Sequence, residues 1–278
     1  MKQVSFVSKE LGHWYQGGAM YAKHIIALGL QAIFRCSDNE LPDELESRNL
    51  LGALGYENTP NDSIYSKVRK EIGEERIGRA AEFIIHELYR NKIVSSMAID
   101  SSYIPYYFED DADAVWGYAT LTKKERKVLK EKTQKGLKRG YKLHAIYDVI
   151  AGIPLYWIVL PANINDNDAF KTLFDYVKAH FKFAHNAKFL ADSAYDSSDV
   201  RFTLRENRVI PVIAVNGRGH YPSSKPKDPT YRRRGAIERF FSLMKMKLNL
   251  LDVRVKGLQK VTAHANTCIF GYLVKYIT

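Results

Sequence analysis

Apolar residues in the first part of the chain recur at the three- and four-residue spacing of amphipathic helices. This spacing predicts helices over Gly18–Arg35, over Leu41–Leu54, from Asn61 or Asp62 to Ile72, and over Gly73–Asn91. We therefore expect residues 1–92 to form a small helical N-terminal region. The pattern alone does not assign a role to this region.

From Ile93 onward, short apolar runs alternate with helical patterns, which is typical of a mixed α/β domain over residues 93–278. The turn AGIP favours a hairpin between two of the strands, and Pro211 indicates an edge strand or a bulge. The predicted strands are Val94–Asp100, Tyr141–Ile150, Ile153–Leu160, Lys188–Ala191 and Val209–Val215. The predicted helical segments are Thr120–Lys135, Asp166–Phe181, Ser198–Asn207, a helix starting at Tyr231, and Leu258–Tyr276.

The helix YRRRGAIERFFSLMK carries an unusual polar face. At 100° per residue, a phenol, a guanidinium, a carboxylate and an ammonium group fall on one narrow side, from Tyr231, Arg234, Glu238 and Lys245. Two interpretations fit this face. It could be an ordinary ion-pair ladder, which stabilises a helix by about 0.2–0.5 kcal/mol per pair, or it could hold a metal ligand beside a phosphate.

Two aspartates extend this carboxylate set. Asp100 ends the apolar run VSSMAID, and Asp192 ends the run AKFLAD. A carboxylate at a strand end reaches the crevice outside the sheet while its backbone stays paired. A single aspartate in this place is more often a turn residue. Two strand-end aspartates together with Glu238 form a much more specific pattern.

Charge and composition point to a polyanionic partner. The net charge is +11, with 46% hydrophobic and 26% charged residues, as in a globular protein. Ten Lys or Arg lie in Lys123–Lys142, and eight in Lys225–Lys247. No apolar run approaches the ~20 residues of a membrane span, and no secretory signal is evident. Cys36 and Cys268 lack the spacing of a metal or redox motif, which predicts free thiols in a reducing compartment.

Together, these residues resemble the DDE transposases of bacterial insertion sequences. One subgroup has Tyr, two residues, Arg, three residues, Glu, six residues and Lys in the helix of its third acid, and Tyr231, Arg234, Glu238 and Lys245 meet this spacing. The resemblance extends through Arg139–Phe170 and around Asp192. It implies a ribonuclease H-like catalytic domain, whose order of strands and helices the chain also matches. For residues 1–92 it implies binding of DNA ends, and a plain scaffold is the alternative.

The resemblance implies a role for each residue. Asp100, Asp192 and Glu238 would be catalytic and would hold two Mg²⁺ ions, for which Mn²⁺ could substitute. The implied chemistry is cleavage at the ends of an insertion sequence and joining of these ends to target DNA. The residues expected to bind DNA are Tyr231, Arg234, Lys245, Arg139, Lys142, Arg232 and Arg233.

The resemblance also implies partners and a location. The partners would be double-stranded DNA and, in the DNA complex, a second copy of the chain, in the cytoplasm of a bacterium at the nucleoid. Two alternatives remain at this point: a nuclease of the same fold that does not join strands, and a non-catalytic DNA-binding descendant. Asp192 and Glu238 lie too close in sequence for the large β insertion of some relatives. Histidine spacing predicts no zinc site.

Overall fold

The computed structural model describes residues 19–72, 75–118, 137–217 and 224–276 of the chain. Its helices are α1 (Ala19–Phe34), α2 (Leu41–Ser47), α3 (Leu51–Leu54), α4 (Ile64–Ile72), α5 (Arg76–Tyr89), α6 (Asp166–His180), α7 (Ser198–Glu206), α8 (Gly235–Lys247) and α9 (Leu258–Tyr276). The strands are β1 (Val94–Pro105), β2 (Val115–Tyr118), β3 (Leu137–Asp148), β4 (Ile153–Pro161), β5 (Phe183–Ala191) and β6 (Ile210–Ile213). Two short 3₁₀ helices span Ser193–Tyr195 and Pro229–Arg234.

The strands form one mixed six-stranded sheet in the order β2-β3-β1-β5-β6, with β4 also paired to β3. β1, β2 and β4 each run antiparallel to β3, whereas β1 with β5 and β5 with β6 are parallel. Pro211 lies in β6 at one end of this order, where its missing N–H leaves no hydrogen bond unmade in the sheet. The edge position predicted for Pro211 is therefore confirmed.

Aromatic side chains fill the space between the sheet and its helices. On α6, Phe170 and Phe174 each meet Phe189 of β5 edge to face, at ring-centroid distances of 5.5 and 5.8 Å. Phe240 of α8 lies against Tyr147 of β3 at 5.1 Å. This apolar burial fixes α6 and α8 on the sheet that carries the candidate site.

Most predicted elements are present, but β2 was not predicted, and β3 and β5 begin four and five residues earlier than expected. Three further differences concern β1 and two helices. β1 continues to Pro105 because its second half pairs with β3, so it does not end at Asp100. The helix expected from Tyr231 begins at Gly235 and follows a 3₁₀ turn that starts at Pro229. The single helix expected over Leu41–Leu54 is two short helices separated by Asn49, which has a positive φ of 54°. The helix expected over Thr120–Lys135 lies outside the described residues.

The chain divides into two compact units that alternate along the sequence. Unit 1 takes the described residues within Met1–Leu88, Ser242–Val255 and Gln259–Thr278, and unit 2 takes Tyr89–Phe241 and Lys256–Leu258. The N-terminal helices thus group with α9 and with the second half of α8. The sequence analysis expected both of these later segments in the catalytic domain that begins at residue 93.

Unit 1 is a bundle of helices with a close approach between α1 and α9. A Cβ added to Gly271 would lie 2.7 Å from the carbonyl oxygen of Gly29, so these two backbones touch where neither residue has a side chain. Arg69 of α4 forms an ion pair with Asp38 at 3.2 Å inside the same unit. Cys36 and Cys268 are free thiols, as predicted.

Candidate active site

Asp100 lies within β1 of unit 2. It pairs with Ala145 of β3, whereas the parallel pairing of β1 with β5 ends one step earlier at Ala98 and Leu190. The sequence analysis placed Asp100 at the end of its strand, which is wrong, because β3 continues to pair with β1 as far as Pro105. The side chain is still accessible from the end of β5, since that neighbour stops short of it.

Asp192 follows the last residue of β5. It caps the 3₁₀ helix Ser193–Tyr195, and its Oδ1 atom accepts a hydrogen bond from the Ala194 N–H at 2.9 Å. This contact is the turn role that a lone aspartate would have. It also fixes the side chain at the carboxyl end of β5, beside the strand that carries Asp100.

The 3₁₀ helix before α8 positions Tyr231 and Arg234. Asp228 caps this helix by accepting a hydrogen bond from the Thr230 N–H at 2.8 Å, and Lys188 of β5 forms an ion pair with Asp228 at 2.8 Å. A 3₁₀ helix has three residues per turn, so Tyr231 and Arg234 lie on the same side of it. The charge on Arg234 acts on the pKa of Tyr231.

Arg234 links two of the predicted metal ligands. Its Nη1 atom lies 3.5 Å from Asp100 Oδ2, and its Nη2 atom donates to Glu238 Oε1 one turn further along α8. The Arg234 side chain is 18% exposed, whereas that of Glu238 is 52% exposed. The guanidinium therefore bridges a carboxylate on the sheet and a carboxylate on the helix.

The charges around Asp100 shift its acidity. Burial raises the pKa of Asp100 to about 7, Arg234 acts against this rise, and the carboxylates of Asp192 and Glu238 add to it. Asp192 and Glu238 also act on the pKa of Tyr231, which burial raises and the charge on Arg234 lowers. Asp100, Asp192 and Glu238 thus share one electrostatic environment with Tyr231 and Arg234.

A polar cluster that the sequence analysis missed lies on the other face of β1. Successive strand residues point to opposite faces, so Ser101 points away from Asp100. Ser101 Oγ donates to Asp166 Oδ1 at 3.2 Å, at the first residue of α6. Lys142 Nζ and His144 Nδ1 of β3 lie 3.6 and 3.5 Å from the same oxygen. Alternation along β3 puts Lys142 and His144 on one face and could have indicated this cluster.

The structure places the other predicted DNA-binding residues separately. Arg232 and Arg233 are exposed on the 3₁₀ helix of unit 2, and Lys245 lies in the last turn of α8, within unit 1. Arg139 is held by three backbone carbonyls, since its guanidinium donates to those of Ala114, Glu109 and Asp111 at 2.6 to 2.8 Å. A part for Arg139 in DNA binding therefore stays a prediction.

The donor set suits a hard divalent cation. Carboxylate oxygens are the protein ligands of Mg²⁺ and Mn²⁺, and the charges of Asp192 and Glu238 both act on the pKa of Asp100. In the part of the chain that the structure describes, no three His, Cys, Asp or Glu side chains are grouped closely enough to hold one ion. The guanidinium of Arg234 lies between Asp100 and Glu238, at a position that a cation could take.

Comparison with known families identifies this arrangement. The family described as Transposase DDE domain matches residues 95–274, a range that contains all three acids. The chain belongs to this family. The DDE transposase domain accordingly covers both the sheet with its acids and α9 at the end of the chain. Among curated protein sequences, none matches the chain.

A solved transposase structure shares the fold of this DDE domain protein. A piggyBac transposase synaptic complex with hairpin DNA aligns with a TM-score of 0.51 and 11% identity, over 91% of this chain and 65% of the piggyBac chain. The chain thus spans 65% of the length of that relative. A Mos1 mariner paired-end complex with Mn aligns over 87% of this chain and 76% of that one, with a TM-score of 0.35 and 13% identity. The predicted ribonuclease H-like fold is confirmed.

No helix in the described ranges combines the length and apolar character that crossing a membrane requires.

Proposed function

We propose that this DDE domain protein is a DNA transposase that cleaves the ends of an insertion sequence and joins them to target DNA. The observation that carries the proposal is Arg234, whose guanidinium contacts both Asp100 of β1 and Glu238 of α8. Membership of the Transposase DDE domain family supports the same activity. An isolated ion-pair ladder on α8 would not place its arginine against a buried aspartate of β1.

Each acid has a role in the proposed reaction. Two divalent ions, Mg²⁺ or Mn²⁺, would supply an activated oxygen nucleophile and stabilise the leaving oxygen of a phosphodiester. Asp100 would contact both ions, and Asp192 and Glu238 would each hold one. β1, the 3₁₀ turn after β5 and the first turn of α8 would hold the three carboxylates for this task.

The basic residues would hold the substrate. Arg234 can contact a phosphate through two of its N–H groups, and Lys245 can do so as a compact charge. Tyr231, half-buried beside Arg234, would contact a terminal base by stacking or by a hydrogen bond. Arg232, Arg233 and Arg139 complete the proposed set of DNA contacts, whereas Lys142, which is 12% exposed and lies 3.6 Å from Asp166, is left out of it.

The proposal extends to the biological setting. The substrate would be double-stranded DNA at the inverted-repeat ends of a bacterial insertion sequence and at its target. Two copies of the chain would hold the two ends in a homodimeric complex, in the bacterial cytoplasm at the nucleoid. The net charge of +11 supports association with DNA.

A cleavage assay on DNA that carries the element's own ends tests the proposal. Glu238→Gln keeps the size of the side chain but removes the negative charge that a divalent ion needs. We expect Mg²⁺-dependent cleavage to fall by several orders of magnitude, with little change in DNA binding or melting temperature. Glu206→Gln, an exposed glutamate at the end of α7, is the matched control and should cleave at the wild-type rate.

The same assay separates the alternatives. Joined products with target DNA support the transposase, whereas cleavage without joining supports a nuclease of the same fold. Wild-type protein that binds the ends but never cuts them would point to a non-catalytic descendant. Cleavage by the Glu238→Gln protein at the wild-type rate would refute the proposed reaction mechanism.

A further inference from the structure

The polar cluster on the far face of β1 is well defined and unused by the proposed reaction. It consists of Ser101, Asp166, Lys142 and His144, all in unit 2, and we call it the Asp166 cluster. Its groups are mostly enclosed, since the side chains of Lys142, His144 and Asp166 are 12%, 0% and 21% exposed. Polar groups are buried at a cost unless they are satisfied, so a cluster of this kind requires a reason.

We propose that Asp166 is a positioning residue that orients the catalytic Asp100 through Ser101. The two residues are neighbours on β1 and point to opposite faces of the sheet. Asp166 holds the Ser101 hydroxyl from the α6 side, and the Ser101 N–H donates to Asp100 Oδ1 at 2.9 Å. The same short piece of strand is thereby fixed from both faces at the position where Asp100 would bind metal.

The other members of the cluster explain why Asp166 is rigid. The Lys142 Nζ atom lies 3.6 Å from Asp166 Oδ1 and balances the charge of Asp166. Asp166 is also the first residue of α6, where the helix dipole favours a negative charge. Burial and the charge on Lys142 lower the pKa of His144 to about 3, so this imidazole stays neutral and adds no competing charge. Asp166 therefore has one fixed orientation, directed at Ser101.

Tyr195 connects this cluster to the second aspartate. Its side chain is 1% exposed in the 3₁₀ helix that Asp192 caps. Burial raises the pKa of Tyr195, and the charges on Asp166, Asp100 and Asp192 raise it further. The phenol therefore stays protonated, and its pKa responds both to Asp166 of the cluster and to the two aspartates. The cluster supports the site from inside the protein, at the side opposite Arg234.

Groups that orient metal ligands without touching the metal typically change metal affinity or activity by about 10–100-fold when they are removed. We therefore expect Asp166→Ala to weaken Mn²⁺ binding by about 10–100-fold, measured by electron paramagnetic resonance on the protein without DNA. Asp166→Asn should recover part of the affinity, because its amide oxygen can still accept from Ser101. Asp168→Ala removes an exposed aspartate from the same helical turn and should bind Mn²⁺ as the wild type does.

A double-mutant cycle tests the route through Ser101. Ser101→Ala should weaken Mn²⁺ binding in the same direction, and the Ser101→Ala, Asp166→Ala double variant should lose less than the sum of the two single losses. Ser101→Ala also covers the case in which Asp166→Ala does not fold, because it removes only one hydroxyl. Additive losses, or Asp166→Ala protein that binds Mn²⁺ like the Asp168→Ala control, would overturn the inference.

This inference rests on the proposed metal site, and its failure can be distinguished from failure of the proposed function. Wild-type protein that binds Mn²⁺ and cleaves DNA, together with unchanged affinity in Asp166→Ala, refutes the positioning role alone. Wild-type protein that binds no Mn²⁺, and whose Glu238→Gln variant behaves identically, refutes both. A fall in melting temperature with unchanged Mn²⁺ affinity would reduce Asp166 to a structural contact between α6 and the sheet.

Discussion

Among single residues, Arg234 dominates the charge balance of the candidate site. Its guanidinium contacts Asp100 and Glu238, two of the three proposed metal ligands, and lowers the cost of keeping Asp100 ionised. A divalent ion would need the same carboxylate oxygens. In the proposed reaction, Arg234 would therefore compete with the ion for Asp100 and Glu238, and it would be available to a DNA phosphate when an ion is bound.

Removal of Arg234 should reveal this competition. We expect Arg234→Gln to bind Mn²⁺ several-fold more tightly than the wild type and yet to cleave DNA more slowly, because a phosphate contact is lost. Mn²⁺ titration followed by electron paramagnetic resonance measures the first effect, and a cleavage assay measures the second. Arg233→Gln removes the same charge from an exposed neighbour and serves as the control. An equal gain in Mn²⁺ affinity in Arg234→Gln and Arg233→Gln would mean that the affinity depends only on the overall charge of the protein.

The residues of the site differ in how far sequence could identify them. Asp192 and Glu238 could be singled out as candidates from local patterns. A strand end and a helix face can each be recognised from residues that are close together in the chain. The contact of Arg234 with Asp100 and that of Asp166 with Ser101 join residues far apart in sequence. Such pairs depend on the sheet register and on where the helices pack, and a single sequence does not supply that information.

At the scale of elements, the differences from prediction come from long-range pairing and from proline. The run that ends at Asp100 has the length of an ordinary strand, but β3 supplies partners for five further residues, Ser101 to Pro105. Pro229 begins a 3₁₀ helix, so α8 starts at Gly235 and not at Tyr231 as predicted. Of the predicted arrangement of Tyr231 and Arg234, only their three-residue spacing is retained. The two residues remain on one side because i and i+3 coincide in a 3₁₀ helix.

The close approach of α1 and α9 gives a prediction for unit 1. Gly271→Ala would place a Cβ 2.7 Å from a backbone oxygen that cannot move independently of α1, and should destabilise the protein by about 1–3 kcal/mol. Gly52→Ala is the control, because no atom lies within 4 Å of its added Cβ. Since alanine favours helix over glycine, this control should be neutral or stabilised by up to about 1 kcal/mol. Urea denaturation measures the free energy of unfolding of both variants. Equal values for Gly271→Ala and Gly52→Ala would contradict the close contact between α1 and α9.

The packing of α1 also predicts a pH dependence. Burial lowers the pKa of His24 to about 4, and the Nδ1 atom lies 2.6 Å from the Tyr56 hydroxyl. Between about pH 6.5 and 4 the unfolded chain binds a proton at His24 that the folded chain does not, so stability falls as the pH falls. The slope in this window approaches about 1.4 kcal/mol per pH unit.

Urea midpoints at several pH values measure this contribution. His24→Gln should be less stable at pH 7 but should depend less on pH between 6.5 and 4 than the wild type does. His185→Gln, an exposed histidine of β5, should leave the pH dependence unchanged. If His24→Gln retains the full wild-type slope, the acid sensitivity arises elsewhere in the protein.

At the scale of the whole molecule, the two units share the chain in an alternating order. α8 begins in unit 2 with Glu238 and ends in unit 1 with Lys245, so one helix carries proposed functional residues in both units. Periodicity predicted this helix and α9 individually. It could not assign α9 to a unit, because that assignment depends on contacts with helices near the other end of the chain.

Association with DNA is the property of the whole molecule that the charge distribution predicts. The net charge of +11 includes two dense segments, Lys123–Lys142 and Lys225–Lys247, and residues 123–136 of the first lie outside the described part. If about six of these side chains contact phosphates, log K should fall with log salt with a slope near −5. Fluorescence anisotropy on end DNA at several salt concentrations measures this slope.

Variants show whether the slope comes from these segments. Arg232→Gln with Arg233→Gln should make the slope shallower by about two, because each lost phosphate contact removes about one. Lys171→Gln with Arg205→Gln removes two exposed cations outside both segments and should leave the slope unchanged. Equal effects of the two pairs would indicate attraction by net charge alone. A slope near zero in the wild type would mean that neither basic segment contacts DNA.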